Sequence, residues 1–300
     1  MVVLRESPEH RGRLMGLYNA IFRSGSLVAV LVGGVLVDVL GIDVAFLIIA
    51  AVMLACIPIV SLISEDEHHS VVEQTKDRVN SRFSLWPMIL GTNDGDIVLK
   101  RKILSVNYTR FTHTFAVSGL VTATLGLLLK ERIGEALAIN DLTLGIATFT
   151  GIILAISWSG EVISSSYIGR ISDRFGRKPV LLLCLPIMTI GLISLMIDNA
   201  FVPVLVVPMI FLATTAGKVT LDASAGDLSP EADKAHVMSR YSTWSDLGSA
   251  SGPVAGYGLI NIVGLNWIYI ISSLLITSGV VLYLMANRSC LLYTSDAADE

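Results

Sequence analysis

Long apolar runs separated by short polar or glycine-bearing turns fill most of the 300-residue chain. Eight of these runs are candidate membrane helices, at 14–37, 44–63, 103–129, 142–168, 179–197, 201–219, 240–262 and 267–286. A hydrocarbon layer about 30 Å thick is crossed by roughly 20 apolar residues in helical form. The runs at 103–129 and 142–168 are longer than that, which tilt or ends protruding into water accommodate. One long polar stretch, residues 64–102, lies between the second and third runs. The pattern therefore predicts an all-α integral membrane fold: two spans in residues 1–63, an extramembrane linker at 64–102, six spans in 103–287, and a tail at 288–300.

Composition supports lipid as the solvent. Hydrophobic residues make up 53% of the chain and charged residues only 15%, with a mean hydropathy of +0.70. Soluble domains carry about 25% charged residues. The net charge of −4 says less than the placement of the cations. With the N-terminus inside, 17 of the 21 Lys and Arg fall on the cytoplasmic side. Only Lys130 and Arg132 fall on the other face, and Arg23 and Arg110 lie within spans. By the positive-inside rule both termini are cytoplasmic and the protein is multi-pass in the cytoplasmic membrane. The start, "MVVLRESPEHRGR", is polar and basic, and no cleavable signal peptide is expected.

Enzyme chemistry leaves no trace. Cys56, Cys184 and Cys290 have no metal or redox spacing, and His10, His68, His69, His113 and His236 form no ligand cluster. No phosphate-binding glycine loop, nucleophile constellation or nucleic-acid stripe is visible. Neither a cofactor, a metal nor a nucleic-acid partner is expected.

The densest charge cluster, "GRISDRFGRKPV" at 169–180, sits between two apolar runs. As a cytoplasmic hairpin it has a consistent local chemistry. Gly169 permits close helix approach, Gly176 permits positive φ, and Pro179 suits a first helical turn. Asp173 is placed to accept N–H bonds at a helix start, while Arg174, Arg177 and Lys178 meet headgroups or carboxylates. The segment resembles the signature loop G-x-L-A-D-R-x-G-R-K/R-x-x-L of the major facilitator superfamily. The matches are Gly169, Asp173, Arg174, Gly176, Arg177 and Lys178, with Ile171 and Ser172 substituted. The resemblance implies twelve helices in two six-helix bundles, of which this chain carries the fifth to the twelfth. It also implies that the loop latches the outward-facing state.

An internal repeat points the same way. "MGLYNAIFRSGSLVAVLVGGVLVDVLG" aligns without gaps on "MSRYSTWSDLGSASGPVAGYGLINIVG" at an offset of 223. Met15/Met238, Tyr18/Tyr241, Gly25/Gly248, Ser26/Ser249, Gly33/Gly256, Leu36/Leu259 and Gly41/Gly264 are identical. Both copies resemble the family's glycine-rich fifth-helix motif, associated with exporters. The later copy keeps Gly252, Pro253 and Gly256. The earlier keeps Gly25, Gly33 and Gly34 but has Ala29-Val30 in place of Gly-Pro. The tail "CLLYTSDAADE" looks like a translated sequencing adaptor, so residues 288–300 are expected to be non-native.

Ionisable groups inside spans cost about 2.5–3.5 kcal/mol each or more, so they are candidate functional groups. Arg23 and Glu161 lie at similar depths, about 14 and 12 Å from the cytoplasmic side at 1.5 Å per residue. They are expected to pair across the bundle interface. Glu161 shares a face with Ser157, Ser164 and Ser165. Asp246 occupies the repeat position of Arg23 and is expected to face a second helix that this chain lacks. Asn107, Arg110 and His113 give the third span a polar face suited to a cavity wall. Together these features lead us to expect proton-coupled efflux of a small molecule by alternating access, with the first four helices of the same protein as an absent partner and the present chain inactive alone. An uptake permease of the same fold is the alternative, and a non-transporting scaffold or sensor is less favoured.

Overall fold

The computed structural model describes residues 8–63, 97–139, 142–229 and 234–287. The linker at 64–96, the tail at 288–300 and the side chain of Arg23 lie outside the described residues. The helices are α1 (Pro8–Leu40), α2 (Ile42–Ile63), α3 (Ile97–Ile133), α4 (Ile146–Phe175), α5 (Arg177–Ser194), α6 (Phe201–Asp227), α7 (Lys234–Val263) and α8 (Leu265–Ala286). A small antiparallel pair, β1 (Ala136–Ile139) and β2 (Leu142–Gly145), joins α3 to α4 with Ala136 opposite Gly145.

In hydrocarbon no water can satisfy a free N–H or C=O, so the backbone must close its bonds internally, and helices do this. The remaining problem is how to turn. Gly41 joins α1 to α2 at φ +82°, and Gly264 joins α7 to α8 at φ +80°. The Gly41 N–H donates to the Val37 carbonyl at 3.0 Å, and the Gly264 N–H to that of Ile260 at 2.9 Å. These bonds sit at the 223-residue offset of the sequence repeat, so the repeat is structural down to its turn. Positive φ is open to glycine without the Cβ penalty of other residues.

Helices α3 to α8 form one body. α3 packs against α7 and α8, α4 against α6, and α5 against α6 and α8. Ala116, Val117, Leu120, Val121 and Leu125 of α3 meet Met188, Leu192, Ile210, Tyr269 and Ile276 in the main core. A second core, nearer the other end, gathers Val106, Leu181, Leu221, Tyr241 and Tyr283. α1 joins this body along α4. Large apolar side chains such as Phe46, Leu47, Ile163, Leu183 and Leu205 point outward, as lipid contact requires.

α3, α4, α5, α6 and α8 are each long and apolar enough to cross a membrane, and Ser24–Leu40 and Ile42–Pro58 are shorter apolar helices. α7 is not among them, because its Gly, Ser, Thr and Asp positions dilute its hydropathy; it gains burial from α3 instead. Several boundaries differ from the sequence reading, and two of them change an element's content. Residues 142–145 are strand, so α4 starts at Ile146. The basic run Lys100–Arg101–Lys102, expected in the linker, forms early turns of α3, which starts at Ile97.

The α3–α7 contact is made by glycine. A Cβ on Gly252 would lie 2.6 Å from the Gly119 Cα, the Leu120 N and the Phe115 O, and one on Gly256 would lie 3.0 Å from Thr124 Cγ2. Gly25 and Gly33, the α1 equivalents of Gly248 and Gly256, have nothing within 4 Å. Replacing Gly252 with Val should therefore destabilise the detergent-solubilised chain by at least about 1–3 kcal/mol. Gly25→Ala should be neutral or slightly stabilising, both read from thermal unfolding by circular dichroism.

Candidate functional site

Three polar residues of α3 recur at helical spacing, and two of them, Arg110 and His113, meet α7 and α6 respectively. Asn107, Arg110 and His113 are all buried, at 3%, 8% and 1% exposure. The Arg110 Nε–H donates to Ser245 Oγ of α7 at 3.2 Å, and its guanidinium lies 5.7 Å from the Tyr241 ring centroid. The Tyr241 hydroxyl donates to Asp222 Oδ1 of α6 at 2.5 Å. Three helices thus contribute to one charged cluster, Arg110–Tyr241–Asp222. The ring face offers the cation attraction without a second formal charge, and the carboxylate binds the ring's polar tip.

His113 is fixed differently. Its Nδ1 and the Thr109 carbonyl are 2.8 Å apart, within bonding distance when Nδ1 carries the proton. Its other edge lies against α6, where a Cβ on Gly217 would come 3.1 Å from both Cδ2 and Nε2. Ser157 is buried at 2% exposure, and its hydroxyl donates to its own helix at the Ile153 carbonyl, 2.8 Å away. Ser164 and Ser165 likewise bond back to the carbonyls of Glu161 and Val162. Among the described residues no group of three or more His, Cys, Asp or Glu could hold a metal.

The basic loop joins α4 to α5 through Gly176 at φ +86°. Arg177 pairs with Asp227 at the end of α6 at 2.6 Å, and Lys178 Nζ donates to the Asn287 carbonyl at the end of α8 at 3.0 Å. Arg174 lies over Phe175, 5.7 Å from its centroid. Two expectations are corrected here. Asp173 is exposed and within the last turn of α4, not at a helix start, because α4 continues to Phe175 before the glycine breaks it. Gly169 makes no close backbone approach either, since its Cβ would meet only Val219 Cγ1 at 3.9 Å.

The seam between α1 and α4 holds the remaining candidates. A Cβ on Gly34 would lie 2.8 Å from the Ala147 carbonyl oxygen, and one on Gly151 would lie 2.8 Å from that of Val30. Gly33, like Gly25, has nothing within 4 Å and lines an apolar groove between α1 and α2 with Val28, Val32, Ile49 and Val52. Glu161 is half-buried on α4, and Asp246 is exposed on α7. In the later glycine copy, Gly248, Gly252 and Gly256 face α3, and Pro253 lies within α7.

Sequence reasoning passed over several participants. Asp222 belongs to no motif, and nothing local in the sequence marks its bond to Tyr241. Tyr241 was visible as an identity in the repeat, with no sign of its bond to Asp222. The π-helical stretch Thr114–Val121, which widens α3 where the α7 glycines press on it, has no periodicity signature eight residues could display.

Lipid-facing flanks around a helical body define a multi-pass membrane protein. Residues 1–108 and 111–295 match the family model of the Major Facilitator Superfamily. The chain belongs to that superfamily. Over 139 residues it is 32% identical to tetracycline resistance protein, class E, of Escherichia coli, covering 46% of this chain and 32% of that protein. Multidrug resistance protein MdtG of Enterobacter lignolyticus is 22% identical over 299 residues, 93% of this chain and 63% of the relative. The chain spans less than two thirds of the length of these curated relatives. A solved POT family transporter in complex with 5-aminolevulinic acid shares 17% identity, with a TM-score of 0.48 over 80% of this chain and 52% of that one.

The Tyr241–Asp222 bond is charge-assisted, so Tyr241→Phe should cost about 1.5–3 kcal/mol of stability. Thermal unfolding of Tyr241→Phe beside Asp222→Asn and the double variant checks this. Strong non-additivity is the expected sign of a direct bond.

Proposed function

We propose that this chain is the larger part of a secondary active transporter that exports a small molecule by alternating access, with protons as the coupling ion. The observation that carries this reading is the Arg110–Tyr241–Asp222 cluster on three helices. Buried charge within a lipid-spanning bundle is expensive and is retained where a substrate or ion path uses it. The direction is supported by relatives named for multidrug and tetracycline resistance. The exporter-type glycine pattern kept at Gly252, Pro253 and Gly256 adds to this.

Within the same reading, Arg23 and Glu161 form an ion pair across the α1–α4 seam that is made and broken as the two parts rock. Asn107, Arg110, His113 and Ser157 adjoin the substrate path. A cytoplasmic side for both termini and the 169–178 loop is supported by the cation distribution. The first four helices complete the cavity, and without them the chain does not transport. An uptake permease of the same fold remains the second reading, because the earlier glycine copy lacks the Gly-Pro step.

The test is dye efflux driven by an imposed proton gradient, in cells lacking their own pumps and carrying the completed gene. Efflux is expected to fall at least about tenfold for Arg110→Ala and Asp222→Asn at equal membrane abundance, equivalent to about 1.4 kcal/mol. Accumulation of substrate instead of efflux would favour the uptake reading, and unchanged efflux in both variants would refute the role of the cluster.

A further inference from the structure

α4 begins without a capping side chain of its own. Its N-cap residue is Gly145, which makes no side-chain bond, although Asp, Asn, Ser or Thr usually fills this place. The cap comes from another helix. The carboxylate of Asp38, two residues before the end of α1, accepts the Ala147 N–H at Oδ1 (3.2 Å) and the Thr148 N–H at Oδ2 (2.6 Å). Gly145 has φ −61° and ψ 151°, an ordinary extended conformation that any residue adopts. Its lack of a side chain answers to space alone, since a Cβ there would overlap the Asp38 carboxylate. Residues far apart in sequence are therefore matched: one supplies the anion and the other vacates its seat.

The location gives this contact a mechanical meaning. The seam with α4 is how α1 joins the body, and its close backbone approaches, Gly34 on Ala147 and Gly151 on Val30, lie directly beneath Asp38. The bond closes the end of the seam remote from the 169–178 loop, which sits at the other end of α4. Asp38 and these hydrogen bonds are exposed, so water takes over both the carboxylate and the N–H groups when the seam parts. No buried donor is stranded, and the contact is reversible. The positive end of the α4 dipole adds an attraction that falls away within a turn, which makes the contact short-ranged.

We propose that Asp38 is a positioning residue for alternating access: its carboxylate, seated on the start of α4 over Gly145, holds this end of the seam shut and releases when it opens. This rests on the reading of the protein as a transporter whose two parts move against each other.

The test is pulsed dipolar spectroscopy on the chain in lipid nanodiscs, with native cysteines replaced and spin labels at Val39→Cys and Phe201→Cys. Both native residues are exposed, at 72% and 75%, and lie at the same end of the bundle. The parent should show one short distance. Asp38→Ala, Asp38→Asn and Gly145→Ala should each raise a longer-distance population, roughly tenfold for loss of a charge-assisted contact. Asp38→Glu should recover part of the short state. Distributions unchanged in Asp38→Asn and Gly145→Ala overturn the proposal, and a fall in melting temperature without a new distance makes Asp38 a static cap and also overturns it. A negative efflux assay alters none of these distances, so failure of the transport reading is separately visible.

Discussion

Backbone groups in hydrocarbon have only each other to bond, and helices in hydrocarbon gain little from hiding apolar surface. What then holds them together is close contact, and close contact needs small residues. α7 lays Gly248, Gly252 and Gly256 on α3 so tightly that the main chains of Gly119 and Gly252 almost touch. The hydroxyls follow the same constraint. Thr109 donates to both the Ser105 and Gly279 carbonyls, Thr124 to that of Leu120, and Thr215 to that of Phe211. These hydroxyls thereby enter the interior with their bonds made.

Against that background the Arg110 cluster stands out. The hydroxyls of α3, α4 and α6 are satisfied largely by their own helices, whereas Arg110 of α3 meets Ser245 and the Tyr241 ring of α7, and Tyr241 in turn meets Asp222 of α6. Relative movement of α3, α6 or α7 must therefore exchange these partners, which links a charge rearrangement to a helix movement. The repeat sharpens the contrast. α1 and α7 share sequence and the glycine turn that follows, yet α7 is embedded against α3 while Gly25 and Gly33 of α1 face open space.

Much of the helical architecture was legible in the sequence, for a physical reason: apolar runs of bilayer length are a property of composition. The spans at 44–63, 201–219 and 267–286 lie wholly inside α2, α6 and α8. The 169–180 segment was legible as a hairpin because glycine and proline mark turns, but the reach of α4 to Phe175 was not, and Asp173 was misplaced with it. Partnerships over long separations left no local mark. Asp38 next to a glycine 107 positions later, or Tyr241 on Asp222, depends on how helices are set side by side. The strands at 136–139 and 142–145 were hidden by apolar residues continuous with the next helix.

The central claim is that these helices traverse lipid, so that α4 carries the chain from one face to the other. Its 30 residues span about 45 Å at 1.5 Å per residue, enough to cross with turns to spare. Single cysteines at Lys130 and Arg174, in a background without the native thiols, can be challenged with a membrane-impermeant maleimide on intact cells and on inverted vesicles. The account predicts that position 130 reacts only on cells and position 174 only on inverted vesicles; reaction of both from the same face would contradict it.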